Sequence, residues 1–255
     1  MIEVRNIKKR FGTQEILMGI STQFQKGKCN LIIGSSGAGK TVFLKCLVGL
    51  FNPEEGDILY DNRPIGSMGV KEKKKLRNEM GMLFQGNALF DSLTVEQNVR
   101  FPLDMFSEMS LEEKTERVNF CLSRVNLENA NDKYPGEISG GMMKRVGIAR
   151  AIVMNPKYLF CDEPNSGLDP KTALVIDELI KEITVEYNIT TVINTHDMNS
   201  VMGIGDKVTF LHQGYKHWEG SKEQVMEESE NKELYEFIFA SDFLKKLREA
   251  ALKNK

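Results

Sequence analysis

Two short stretches of this 255-residue chain combine residue types that can do chemistry together. The first, Gly34-Ser35-Ser36-Gly37-Ala38-Gly39-Lys40-Thr41-Val42, follows the apolar run Leu31-Ile32-Ile33. It precedes Leu44, Leu47 and Val48, which fall on one face of a helix. Glycines let backbone N–H groups curl around an oxyanion, and the helix that follows aims its positive end at the same point. Lys40 adds a full charge for the outer phosphates, and the Thr41 hydroxyl is a hard ligand suited to Mg²⁺. Each part serves one triphosphate. The second stretch, Tyr158-Leu159-Phe160-Cys161-Asp162-Glu163-Pro164, is an apolar run ending in two acids. At the carboxyl end of a parallel strand, Asp162 would meet the Mg²⁺ shell and Glu163 would point at the water that attacks the γ-phosphate.

The elements that must position these residues can be read from periodicity and turn residues. Strand-like runs at 2–11, 16–24, 29–33 and 56–60 suggest an antiparallel sheet feeding a first parallel strand, with a helix from Lys40 to about Leu50 stopped by Asn52-Pro53. Residues from about 88 to 155 offer only helical stretches, at 94–106, 110–125 and 139–154. Strands resume near 157–161, 190–194 and 206–212, with a helix near 171–187. The pattern is a parallel α/β core interrupted by a helical subdomain.

Composition sets limits on partners and environment. With 34 basic against 36 acidic residues the formal charge is -2, so no global field draws the chain to nucleic acid or anionic lipid. Lys71 to Arg77 holds five bases in seven residues and reads as a solvated helix face. No apolar run approaches the roughly 20 residues of a spanning helix. Met1-Ile2-Glu3-Val4-Arg5 carries an acid where a targeting peptide would carry bases, which leads to the expectation of a mature start in a strand and a cytosolic setting. Cys29, Cys46, Cys121 and Cys161 form no CxxC pair and read as buried thiols.

Ile138-Ser139-Gly140-Gly141-Met142-Met143-Lys144-Arg145-Val146-Gly147-Ile148-Ala149-Arg150-Ala151 resembles the signature helix of the ABC-transporter ATPases. Further motifs follow in that family's order. Gln85 after Met80–Phe84 resembles the Q-loop, Ser166-Gly167-Leu168-Asp169 the D-loop, His196 after Thr190–Asn194 the H-loop, and Phe11 the aromatic that stacks on adenine. The resemblance runs from about residue 2 to 222. It implies a P-loop (RecA-like) parallel sheet core with an N-terminal antiparallel β subdomain and an inserted helical subdomain at about 88–155. Residues 1–222 would form the ATPase domain and 223–255 a C-terminal helical extension.

The same resemblance implies binding of ATP and Mg²⁺ and a homodimer in which each nucleotide is shared. Lys40, Thr41, Gln85, Asp162 and His196 would hold it from one subunit, and Ser139, Gly140 and Gly141 from the other. Thr41, Gln85 and Asp162 would be the metal contacts, Glu163 the general base, and Asp169 a coupling residue across the interface. A multi-pass membrane permease would be the partner, with its cytoplasmic helix in a groove near Gln85 to Pro102, alongside small accessory and substrate-binding subunits and no nucleic acid. The chain would then sit peripherally on the cytoplasmic side of a bacterial inner membrane. Two positions depart from the common pattern: Met142 stands where Gln is usual and Ile138 where Leu is usual. Ser-Gly-Gly-Met, with Gln85-Gly86-Asn87-Ala88-Leu89-Phe90 and Asn98-Val99-Arg100-Phe101-Pro102-Leu103, looks like the ATPase of Mla-type phospholipid transporters. An ABC ATPase of a cell-division or lipoprotein-release complex, or a soluble non-transport one, has the same length and motifs. Finally, Leu234, Phe237, Ile238, Leu244, Leu247 and Ala251 recur near the helical period. They predict an amphipathic helix that either packs on its own core or offers Phe237, Phe239 or Phe243 to a second subunit.

Overall fold

A computed structural model of the chain describes residues 1–228, 230–239, 245 and 248. In chain order the strands and helices begin with β1 (Ile2–Phe11), β2 (Gln14–Phe24), β3 (Cys29–Ile33), α1 (Lys40–Leu47), β4 (Glu55–Tyr60) and β5 (Arg63–Pro64). Next come α2 (Val70–Asn78), β6 (Met80–Leu83), α3 (Val95–Phe106), α4 (Leu111–Arg124), α5 (Gly140–Ile152) and β7 (Tyr158–Asp162). The series ends with α6 (Pro170–Glu186), β8 (Thr190–Asn194), α7 (Met198–Ile204), β9 (Lys207–His212), β10 (Tyr215–Gly220), α8 (Lys222–Glu227) and α9 (Lys232–Ile238). They fall into two compact units, Met1–Ser67 with Asn194–Lys255, and Met68–Ile193.

The first unit contains an antiparallel sheet in the order β2-β1-β4-β5. Its strands bury one face, with Ile2, Val4 and Ile7 of β1 inside, and a bulge between Val4 and Ile7 places Asn6 at φ 50. The unit also contains β3, which runs parallel to β9, and β10, which returns antiparallel along β9. Every residue of β3 is buried, as expected of a strand covered on both faces. Helix α1 ends at Leu47, short of the expected Leu50, because the chain turns through Gly49 at φ 74.

At the end of this unit Leu234, Ile238 and Phe239 of the α9 region are buried in the chain itself. The Phe237 ring lies 5.5 Å from that of Phe210 on β9, and the Arg248 guanidinium lies over Tyr235 and Phe239 at 5.2 and 5.3 Å. The partner-contact expectation is thereby corrected for Phe239, whose ring is buried within the subunit, whereas Phe237 is half-buried. Phe243, Leu244, Leu247 and Ala251 lie outside the described residues.

The second unit carries strands in the order β8-β7-β6, with β6 and β7 parallel, and helices α2 to α6. No strand interrupts the described residues from Val95 to Ile152, where α3, α4 and α5 pack on one another. Their starts are written in the sequence as reciprocal caps, Thr94 with Gln97 and Ser110 with Glu113. Helix α5 lies close on β6 because two positions lack side chains: a Cβ on Gly147 would stand 2.7 Å from Leu83 Cδ1, and one on Gly81 would stand 2.1 Å from the Ala151 carbonyl oxygen. All four cysteines are buried and none forms a disulfide, and no described helix is long and apolar enough to cross a membrane.

Candidate nucleotide site

In the first unit, buried β3 delivers the chain into the loop Gly34–Gly39, and α1 leaves it. Gly34, Gly37 and Gly39 have φ of 149, 80 and 98, so the turn uses backbone conformations that L side chains rarely adopt. A Cβ on Gly34 would also meet the Leu211 carbonyl oxygen at 2.2 Å. Ser35, Ser36 and Gly37 are exposed at the tip, whereas Ala38 and Gly39 are buried beneath it. Lys40 is buried and folds back over the loop, its Nζ donating to the carbonyls of Gly34 at 2.7 Å and Ser35 at 3.0 Å. The Thr41 hydroxyl accepts from Asn194 Nδ2 at 3.2 Å, and Val42 is half-buried behind it. His196 is exposed on the turn between β8 and α7, held where the Asp197 N–H donates to the Thr195 hydroxyl at 3.0 Å. Phe11 closes β1 as an exposed ring, edge-on to Phe51 at 5.2 Å, with Lys9 Nζ 5.1 Å from its centroid.

The second unit carries the acids, the Gln and the signature. Asp162 ends β7 and is buried, and Glu163 follows, half-buried, at φ 50. A left-handed φ on glutamate is a local strain of the kind that collects at functional sites. Gln85 is exposed after β6, and its carbonyl accepts from Lys144 Nζ at 2.7 Å. Lys144 is itself buried. Desolvation pushes its ammonium below the ordinary lysine value, opposed by Cys161, Glu163 and Asp162. Ser139 caps α5, its hydroxyl accepting from the Met142 N–H at 3.3 Å, so Gly140 and Gly141 form the helix's first turn. A Cβ on Gly141 would stand 2.7 Å from Thr172 Cγ2. Asp169 caps α6, accepting from the Lys171 and Thr172 N–H groups at 3.1 Å each, and hydrogen bonds from Thr172 hold its carboxyl below the usual range.

The structure thus brings Gly34–Val42 together with Asn194 in one unit, and in the other it ties Gln85 to Lys144, whose charge is favoured by Asp162 and Glu163. Sequence reasoning missed Asn194, Lys144 and Phe51. Asn194 and Lys144 are separated from their partners by 153 and 59 residues, so no local pattern announces them. Phe51 offered a signal, an aromatic directly before Asn52-Pro53 at a helix stop.

A family model described as ABC transporter matches residues 17–166. The methionine import ATP-binding protein MetN of Campylobacter jejuni is 37% identical over 260 residues, covering 96% of this chain and 77% of its own length. The probable ribonucleotide transport ATP-binding protein mkl of Mycobacterium leprae is 38% identical over 229 residues, covering 90% of this chain and 66% of its own length. Among solved structures, the dimeric ATP-binding cassette MJ0796, in a post-hydrolysis state bound to ADP and Pi, superposes with a TM-score of 0.79 at 32% identity over 87% of this chain and 99% of that one. The structure of cbiO1 from Clostridium perfringens, part of the ABC transporter complex cbiONQ, gives 0.83 at 31% identity over 98% of both chains.

Proposed function

Because the chain belongs to the ABC transporter family, we propose that it is the ATP-hydrolysing subunit that powers transport through a separate multi-pass membrane permease. The observation that carries this reading is the loop Gly34–Gly39 with Lys40 folded over it, donating to the Gly34 and Ser35 carbonyls. That ammonium needs only a small rotation of a flexible side chain to meet outer phosphates. By residue type the donors suit ATP and Mg²⁺: backbone N–H groups and a lysine for the phosphates, and for the metal a hydroxyl in Thr41, an amide in Gln85 and a buried carboxylate in Asp162. A metal ion held by these residues would supply charge neutralisation to the phosphates.

The remaining work falls to side chains of this chain. Glu163 orients the attacking water and takes its proton, and His196 donates a hydrogen bond to the γ-phosphate. Phe11 stacks on adenine. Catalysis of this kind is mostly positioning, which rigid caps and a strained Glu163 backbone favour. Residues 1–222 act as the ATPase domain in this reading, with the helical stretch 88–155 as its moving part. The chain works as a homodimer, in which Ser139, Gly140 and Gly141 at the start of α5 present N–H donors to the nucleotide of the other subunit and Asp169 couples the two sites. The dimeric state of MJ0796 supports this arrangement.

Within the second unit an apolar groove of about 740 Å³ runs past Met80, Met82, Phe84, Phe90, Phe101 and Phe106. It receives a cytoplasmic helix of the permease, so the chain sits peripherally on the cytoplasmic face of the bacterial inner membrane. The membership of cbiO1 in a transporter complex supports a membrane partner. Cargo is a property of that partner. The phospholipid reading rests on the Ser-Gly-Gly-Met signature and the two flanking segments alone, and the relatives, named for methionine import and ribonucleotide transport, do not support it. Lipid analysis of the complex purified from detergent-solubilised membranes decides the cargo.

The test of the core proposal is Glu163→Gln in that complex. Nucleotide binding should persist, turnover should fall by about 10²-fold or more as a positioned base is lost, and an ATP-bound dimer should accumulate. Turnover near that of the unsubstituted chain would remove Glu163 from its role.

A further inference from the structure

The apolar groove of the second unit has a one-signed rim. Lys74, Arg77 and Arg150 line it, and no acid does. This is not the chain's general character, since its formal charge is -2. Lys74 and Arg77 stand on the exposed side of α2, where Lys71, Lys73 and Lys75 extend the same charge. The one acid of that helix, Glu72, is engaged as its cap, accepting from the Gly69 N–H at 2.8 Å. Among the described residues no ion pair involves any of these five bases.

Arg150 is the stronger observation. Its guanidinium reaches the groove wall from α5 and donates to the carbonyls of Ala88 at 2.7 Å and Asn87 at 2.5 Å, both neutral acceptors. Burial alone pushes it below its ordinary value, and no carboxylate compensates. A guanidinium held in an apolar wall without a counter-charge is costly, and a carboxylate brought by a partner relieves that cost.

Resting on the reading that a partner helix docks in this groove, we propose that the occupant is an acid-bearing amphipathic helix. Its apolar face fills the aromatic floor, and its carboxylates meet Lys74 and Arg77 on the rim and Arg150 in the wall. The chemistry favours a protein helix over an anionic bilayer. A lipid surface is broad and flat, whereas this positive charge edges a concave apolar groove of about 740 Å³ that needs side chains to fill it.

Two synthetic helical peptides with the same apolar face at i, i+3, i+4 and i+7 test this, one carrying Glu at the flanking positions and the other Lys. Each is titrated against the full chain by fluorescence anisotropy at low and high salt. The Glu peptide should bind about tenfold tighter, the total expected of two or three partly exposed charge pairs. That preference should shrink in salt and vanish in Lys74→Glu/Arg77→Glu, whose exposed positions leave the fold intact by thermal melting. Phe106→Ser, at an exposed groove position, removes apolar contact without adding charge and should weaken both peptides alike.

Equal binding of the two peptides, both still sensitive to Phe106→Ser, would overturn the acidic preference and leave the docking reading standing. Binding insensitive to Phe106→Ser, or no binding of either peptide, would overturn both. Tight binding to phosphatidylglycerol vesicles that is lost in Lys74→Glu/Arg77→Glu, without a preference for the Glu peptide, would overturn the proposal in favour of a bilayer.

Discussion

Two glycines of the phosphate loop, Gly34 and Gly37, separate the cost of backbone conformation from the cost of space. Gly37 has φ 80 and nothing within 4 Å of an added Cβ, so Gly37→Ala meets only the left-handed penalty, about 1–2 kcal/mol. Gly34 has φ 149, and its Cβ would lie 2.2 Å from the Leu211 carbonyl oxygen and 3.3 Å from Ala38 Cβ. A backbone oxygen on a β-strand cannot rotate away, so the loop must shift by roughly 1 Å; overpacking of this kind costs about 1–3 kcal/mol on top of the backbone term. The total for Gly34→Ala is therefore about 2–5 kcal/mol. At about 2–4 °C per kcal/mol for a chain of this size, Gly34→Ala should melt roughly 10 °C below the unsubstituted chain and Gly37→Ala roughly 4 °C below.

Because Gly34 relieves its clash by moving the loop, its loss should also weaken nucleotide binding more than that of Gly37. Thermal melting of the purified chain followed by titration with a fluorescent ATP analogue reads both quantities. Equal melting losses for the two variants, or a Gly34→Ala chain indistinguishable from the unsubstituted one in both assays, would refute the steric account.

Lys144→Met removes the donor to the Gln85 carbonyl at 2.7 Å and should cost about 1–3 kcal/mol of turnover barrier or stability, with Lys144→Arg recovering part of the loss; steady-state ATPase rates and melting check both. Burial raises Cys46 and Cys121 to about 11 each, so at pH 8 their thiolates are scarce and a chromogenic disulfide reagent should label them only on unfolding. Since unfolded thiols ionise near 8.5, the unfolded state loses these protons first, and stability should decline as pH climbs from about 8.5 towards 11. Phe239→Ala empties a ring position with 2% exposure and should cost about 3–5 kcal/mol, seen as a lower melting temperature in the isolated chain without any partner present.

What was legible in the sequence is what is local or periodic. β3, β7 and β8 are buried at every residue, and their apolar or β-branched stretches marked the loops at their ends. The helical stretches 94–106 and 110–125 match α3 and α4 to within a residue. β10 was invisible, because Tyr215-Lys216-His217-Trp218-Glu219-Gly220 is an edge strand exposed or half-exposed throughout and carries no alternation for a period-two pattern to find. The role of the α9 aromatics stayed open between own-core packing and partner contact for a related reason. A helical apolar stripe says that a face is covered, and only the contact between Phe237 and Phe210 says by what.

The least legible feature is also the one that orders the second unit. Helix α5 touches three functions along its 13 residues. Ser139 caps its start, Lys144 holds the Gln85 carbonyl, and Arg150 holds the carbonyls of Asn87 and Ala88 at the groove wall. Asn87 and Ala88 have φ of 61 and 49, so the segment after Gln85 stands in strained backbone conformations that two cations from one helix hold in place. An α-helix is stiff over this length of roughly 20 Å, so a displacement of Arg150 is carried to Lys144 and Ser139 with little loss. The loop bearing Gln85 is tied to that same rod at both ends. A partner that pulls on Arg150 therefore acts on Gln85 twice, through the carbonyls of Asn87 and Ala88 directly and through Lys144 by way of the helix. This double attachment makes Arg150 and Lys144 non-additive: once either tie is cut the other still fixes one end of the loop, and only loss of both frees Gln85 from the signature helix.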